Sequence, residues 1–348
     1  MSHSSELRSI KSTKLYLKLV ILPTLFLIVI VMVSAVPVYG HTFSQNENSL
    51  FLTRMNQIHS QLQLVQNLLS TNTTSGGDNA KLAQTHTTQA LSFLKEKDPV
   101  NNVTWTREIS ERNQRVANDL IRELTDLNGL VYQRASSGAN FKGTLANESS
   151  SIQDNIFNLN GLVDEAISAR IPKDIVNNST NQALVLANMG SEIFYSYGQA
   201  LGYPYAKLAN MVATMNMSAM GGGSSNMNMN MQGMNMTQNM DNMNANGGKM
   251  PTMNNMANIQ NQSQYQNAQA YVKQAQEIVS KYLTSSNSTN KNTVPNASTQ
   301  ISKVLSQLKT AIDDKGSFDT VMNLIHVQLH PTLISDYGLK LVAPSPSK

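Results

Sequence analysis

A chain of 348 residues with no cysteine cannot carry a disulfide framework, a thiolate nucleophile or a thiolate metal site. Its formal charge of +4 is concentrated in residues 1–18, and the near-neutral remainder lacks the basic stripe that nucleic-acid binding needs. Charged residues are only 14%, so polarity comes from 40 asparagines and many Gln, Ser and Thr, while the one soft ligand is methionine, present 19 times.

Leu19 to Val36 reads LVILPTLFLIVIVMVSAV and contains no charge. At about 1.5 Å per helical residue it covers roughly 27 Å, close to a hydrocarbon core of about 30 Å. Arg8, Lys11, Lys14 and Lys18 precede it, and the first charge after it is Glu47. The positive-inside rule then keeps the basic tail 1–18 cytoplasmic and puts the bulk outside the membrane, with 19–40 as a single transmembrane anchor. A signal peptide is the competing reading, because Pro37 breaks the helix and Gly40 is small enough for a cleavage site. Cleavage there would leave His41 as a new N-terminus able to chelate Cu(II) through its amine and ring nitrogen. The run is longer than the usual signal-peptide core of about 7–15 residues, which favours the anchor.

Residues 41–214 read as a helical bundle. Phe51, Met55, Ile58, Leu62, Val65 and Leu69 form a 4-3-4-3-4 seam that predicts a helix over 47–70. Gly76-Gly77 breaks the next loop, and a second helix over 79–95 carries Ala83, His86, Ala90 and Leu94 on one stripe. A long third helix is predicted over 105–132, with Ile109, Val116, Leu120, Leu124, Leu127 and Val131 inward. Its outer face pairs Arg107 with Glu111, Glu108 with Arg112 and Glu111 with Arg115, the spacing of a solvated surface. The fourth helix, 145–170, buries Ile152, Ile156, Leu159, Val163 and Ile167 and stops at Pro172. A fifth runs over 180–201 and is closed by Gly202-Tyr203-Pro204, and a short helix follows over 205–215.

Residues 215–261 differ in kind. Between 215 and 258 lie 13 methionines and 12 asparagines with no aliphatic face, which predicts a disordered Met/Asn-rich linker. A smaller helical domain is expected over 262–340, followed by a tail, 341–348. Tyr265, Ala268, Val272, Ala275, Val279 and Tyr282 define its first helix, and Ile301, Val304, Leu308 and Ile312 its second. A last helix over 318–330 is expected to end at Pro331. Sustained strand alternation is missing, so the fold class is all-α, in two parts whose mutual packing the sequence leaves open.

The candidate ligands follow from donor chemistry. Met215, Met217, Met220, Met227, Met229, Met231, Met234, Met236, Met240 and Met243 fall in Met-x-Met and Met-x-x-Met spacings, and neutral thioethers suit Cu(I). Met322, His326 and His330 stand at i, i+4 and i+8 on the last helix. Met55 and His59 form a similar pair, and His86 lies on an apolar stripe. Imidazoles at i, i+4 can share a metal, and equally can be satisfied interfacial histidines. Copper is therefore the expected cofactor. Ten Asn-x-Ser/Thr sequons occur, and Asn72, Asn102, Asn147, Asn178, Asn287 and Asn296 are the glycosylation candidates on an exported surface.

No GxSxG, P-loop, GxGxxG or HExxH occurs, so no enzyme is expected. The short basic tail, the absent cysteine, NMNMNM and the ending IHVQLHP resemble exported, membrane-anchored helical proteins of ammonia-oxidising archaea. That resemblance implies a link to copper metabolism and transfers no site residue. The expected function is extracytoplasmic copper capture or storage. The alternative is a helical surface interaction, adhesion or scaffold protein with a protein or glycan partner, its tract only a spacer.

Overall fold

Glu47–Ser70 (α1) is the helix its seam predicts, and every seam residue from Phe51 to Leu69 is buried. Gly76–Lys95 (α2) begins three residues before the expected 79, so Gly76-Gly77, expected to break the loop, instead form its first turn. The computed structural model describes residues 42–70, 76–137, 145–214, 257–284 and 297–342. The basic tail, the expected anchor 19–40, His41 and tract residues 215–256 lie outside the described residues. Among the described residues no helix is long and apolar enough to cross a membrane.

The long third helix is two helices, Trp105–Arg112 (α3) and Gln114–Ser137 (α4). Asn113 between them is extended (φ −153°, ψ 93°); its N–H donates to Ile109 O while its Oδ1 accepts from Val116 N–H. Asn thus ends one helix and caps the next, as its short polar side chain favours. The break resets the helical phase and overturns part of the expected surface pairing. Arg107 does hold Glu111 at 3.0 Å, but Glu108 turns inward and Arg115 pairs with Asp119 and Glu165.

Leu145–Arg170 (α5) runs antiparallel to α4, the single turn Lys173–Val176 (α6) follows, and Ser179–Ala200 (α7) comes next. Helix α7 is buried nearly all round and is the central element of the fold. Tyr205–Thr214 (α8) folds back on its end: a Cβ added at Gly198 would stand 2.5 Å from Leu208 Cδ2 and 3.0 Å from Phe318 Cε2. Gly198→Ala is therefore expected to destabilise the protein by about 1–3 kcal/mol through overpacking, although alanine is the better helix former. Urea midpoints measure it; an unchanged or raised midpoint would contradict this packing.

Gln262–Ile278 (α9) continues as a π turn, Val279–Leu283, and Ala297–Asp313 (α10) follows. Phe318–Asn323 (α11), a π turn Leu324–Leu329 and His330–Tyr337 (α12) form one continuous run. Pro331 was expected to end this helix and does not. In an α-register its ring would crowd the carbonyl four residues back. Here the wider π turn, with His330 N–H on Ile325 O, takes up the crowding, and Pro331 sits in the first turn of α12. Gly338, at φ +64°, ends the run.

The two parts pack together. Helix α9 lies along α7 and also contacts α1, and one hydrophobic cluster runs from Phe43 to Leu339. All described residues belong to one compact unit. The architecture of the described residues is helical, with a two-residue antiparallel pairing in which Thr42–Phe43 (β1) meets Leu341–Val342 (β2), so the expected C-terminal tail begins with a paired segment. Both flanks of the tract are tied to the end of α7: Ala200 O accepts from Gln260 N–H at 2.8 Å and Asn261 N–H at 3.1 Å. Gly202 permits that approach, with φ +87° and Gln260 Oε1 2.2 Å from where its Cβ would be.

Candidate functional site

The structure brings two of the predicted histidines together. His326 and His330 are both 2% exposed, with ring centroids 5.0 Å apart and planes near perpendicular. His326 stands edge-on to Phe194 and His330 to Phe43. Gly190 on α7 makes room, since a Cβ there would lie 3.1 Å from His330 Nε2. His330 Nε2 lies 3.2 Å from Ala187 O. With Nε2–H donating to that carbonyl, Nδ1 carries the lone pair, the usual way a backbone carbonyl orients a ligating imidazole. Met322 is half-buried against the core on the same run. The two imidazoles are thus adjacent and buried, and Met322 stands one helical turn before His326 in the sequence.

His59 and His86 belong elsewhere. His59 Nε2 is 3.5 Å from Asn160 O and 3.8 Å from Asp164 Oδ1 on α5. Burial lowers its pKa below the ordinary value, so at neutral pH this contact is not an ion pair. His86, fully buried, has Nδ1 2.7 Å from Gln61 Oε1 and Nε2 2.9 Å from Gln266 Oε1. Gln61 Nε2 donates to Asn267 Oδ1 (3.0 Å) and Tyr271 OH (3.2 Å), which makes Gln61 Oε1 the acceptor and puts the His86 proton on Nδ1. Burial lowers the His86 pKa as well, so the neutral ring donates once, from Nδ1 to Gln61. Gln61 carries the link on to Asn267, a polar rivet across α2, α1 and α9. The lone pair left on Nε2 requires the Gln266 amide to present its N–H there. Among the described residues no group of three or more His, Cys, Asp or Glu side chains could hold a metal ion.

Sequence reasoning missed two polar clusters, one buried and one half-buried. Arg170, at the end of α5, donates from Nε to Glu108 Oε2 (2.7 Å) and from Nη1 to Asn48 Oδ1 (3.0 Å), and stacks over Phe51. Glu108 also accepts from Asn101 Nδ2 at 2.9 Å, and burial, reinforced by nearby Asp98, pushes its carboxyl above the usual range. Arg54 binds Glu96 at 2.7 Å and also attracts Glu192, both of whose carboxyls burial pushes up. The signal was available for Arg170 alone: a cation in the last turn of an otherwise apolar-faced helix invites an acidic partner.

Among the sequons, Asn102 is exposed in a left-handed turn (φ 59°). Asn178 is exposed and caps α7 through Oδ1, which accepts from Asn181 N–H at 3.0 Å. Its Nδ2, the atom a glycan joins, makes no hydrogen bond among the described residues. Asn72, Asn287 and Asn296 lie outside the described residues, as do the tract methionines and the side chain of Asn147. The chain matches no protein-family model, no curated protein and no solved structure, so its function rests on the chemistry of these residues.

Proposed function

We propose that this chain is a membrane-anchored, extracytoplasmic copper-capture or storage protein without enzymatic activity. The thioethers between Met215 and Met256 hold Cu(I), and His326, His330 and Met322 offer a second, imidazole-based position. The carrying observation is that both flanks of the tract are fastened to the end of α7, at Ala200 and through Leu208. A spacer keeps two modules apart, whereas here the segments on either side share one core. The 13 methionines lie in a tract whose sequence has no aliphatic face, a spacer has no need of them, and metal binding supplies a reason for them. Outside a cell, thioether is also the soft ligand compatible with oxidising conditions that threaten a thiol. The resemblance to exported proteins of ammonia-oxidising archaea points the same way.

Capture fits better than catalysis, because a ligand set spread along such a tract does not define one open coordination position in fixed geometry. Replacing the tract methionines by leucine tests the reading. Copper-dependent growth or tolerance of the host should change, while the melting temperature of the protein stays the same. An unchanged phenotype would return the tract to the role of spacer.

A further inference from the structure

Phe157 on α5 is the most exposed large apolar side chain among the described residues, at 79%. Asn160, Gly161 and Asp164 follow it at i+3, i+4 and i+7, so the four share one helix face. This face lines a hollow of about 670 Å³ whose opposite wall on α4 is Asp119, Arg122 and Glu123. The hollow is open to solvent along its length, so it offers one face to a ligand rather than enclosing it. Gly161 has nothing within 4 Å of where its Cβ would stand, which leaves open space beside the ring.

The polar groups divide into engaged and available. Asp119 takes Arg115 at 3.2 Å and Arg122 at 2.9 Å, Glu123 takes Arg122 at 3.1 Å, and Glu165 pairs with Arg115. By contrast, no arginine pairs with the Asp164 carboxylate, 73% exposed: it stands 3.8 Å from the neutral His59 ring and feels the Lys281 ammonium at longer range. The side-chain amides of Asn158 and Asn160 make no hydrogen bond among the described residues. The hollow therefore offers an exposed aromatic face, one available carboxylate and two available amides.

We propose that this hollow binds a neutral pyranose. The apolar face of a sugar ring stacks on Phe157, Asp164 accepts hydrogen bonds from vicinal hydroxyls, and the Asn amides donate to and accept from the others. Asp119, Glu123, Glu165 and Asp164 against Arg115 and Arg122 leave a net charge of −2, but among the described residues no three carboxylates converge to hold a metal ion, and three of the four are already paired with the arginines. A protein partner fits less well, since protein interfaces gather several apolar side chains at a centre depleted of charge, and here one ring stands among charged groups. The site is independent of the copper reading and would seat the protein on a surface polysaccharide or glycan.

The test is calorimetric titration of the full chain in detergent with methyl glycosides and disaccharides of glucose, mannose, galactose and N-acetylglucosamine. One of these should bind saturably, with a dissociation constant near or below about 1 mM. Phe157→Ala and Asp164→Asn should each weaken it tenfold or more, Phe157→Trp should retain it, and Tyr132→Ala, exposed outside the hollow, should leave it unchanged. No saturable binding by any of the sugars, or equal binding by Phe157→Ala, overturns the proposal. Tighter binding of a lysine-rich peptide than of every neutral sugar also overturns it, in favour of a cation.

Discussion

Replacing Arg170 with methionine is expected to lower the unfolding free energy by about 3–5 kcal/mol, the range for leaving one partner of a buried ion pair alone. Arg170 and Glu108 side chains are 9% and 6% exposed, so neither is well screened by water. The guanidinium joins the start of α1, through Asn48 and Phe51, to α3 and to the end of α5. Its loss leaves Glu108 buried beside Asp98 with only Asn101 donating to it. Because burial already raises the Glu108 pKa, protonation can relieve part of the damage, and the deficit should shrink in mildly acidic buffer. The double variant Arg170→Met/Glu108→Leu should recover much of the stability, since no unpaired charge remains. Urea midpoints at pH 7 and 5 measure all of this. A single-variant loss no larger than that of a surface pair, about 0–1 kcal/mol, would contradict it.

Acidification should destabilise the bundle through its buried histidines, and His86→Gln isolates that effect. His86 and His59 both titrate below 6.5 in the folded state. As pH falls through that value the unfolded chain takes up protons that the folded chain does not. Their contribution is thus fully present above about pH 6.5 and declines below it, by up to about 1.4 kcal/mol per pH unit for each ring. Glu96, Glu108 and Glu192 act with the opposite sign. Burial favours their protonated forms, so their contribution is present at low pH and lost as pH rises through their folded pKa values. The whole curve is composite, and the difference between wild type and variant removes the carboxyl part. His86→Gln should be less stable at pH 7.5, by about 1 kcal/mol for the lost hydrogen bonds, yet lose less between pH 6.5 and 5. Parallel curves would show that His86 is not a buried neutral ring.

Most of the helices were legible because their signal is local. The 4-3-4 spacing from Phe51 to Leu69 and the run from Tyr265 to Val279 place apolar side chains on one face whatever else the chain does. Two features escaped because they depend on backbone detail: the phase reset at Asn113, and the π turn that carries the helix past Pro331. Glu108 was assigned to a solvated face by its spacing from Arg112, and the break at Asn113 together with the distant Arg170 turned it inward. The rivet of His86, Gln61, Gln266 and Asn267 joins residues up to 206 positions apart, and no pattern in one helix announces such a partner. The joining of the two parts rests on the same long-range contacts.

The most direct test of the copper reading is titration of Cu(I) into the full chain in detergent, under reducing conditions and against a competing Cu(I) chelator. The chain with its tract methionines changed to leucine and a His326→Ala/His330→Ala chain are titrated alongside. Wild type should take copper from the chelator at micromolar concentration or tighter, the leucine chain should lose most of that capacity, and the histidine variant a smaller share. A wild-type chain that fails to compete at micromolar copper would contradict the account.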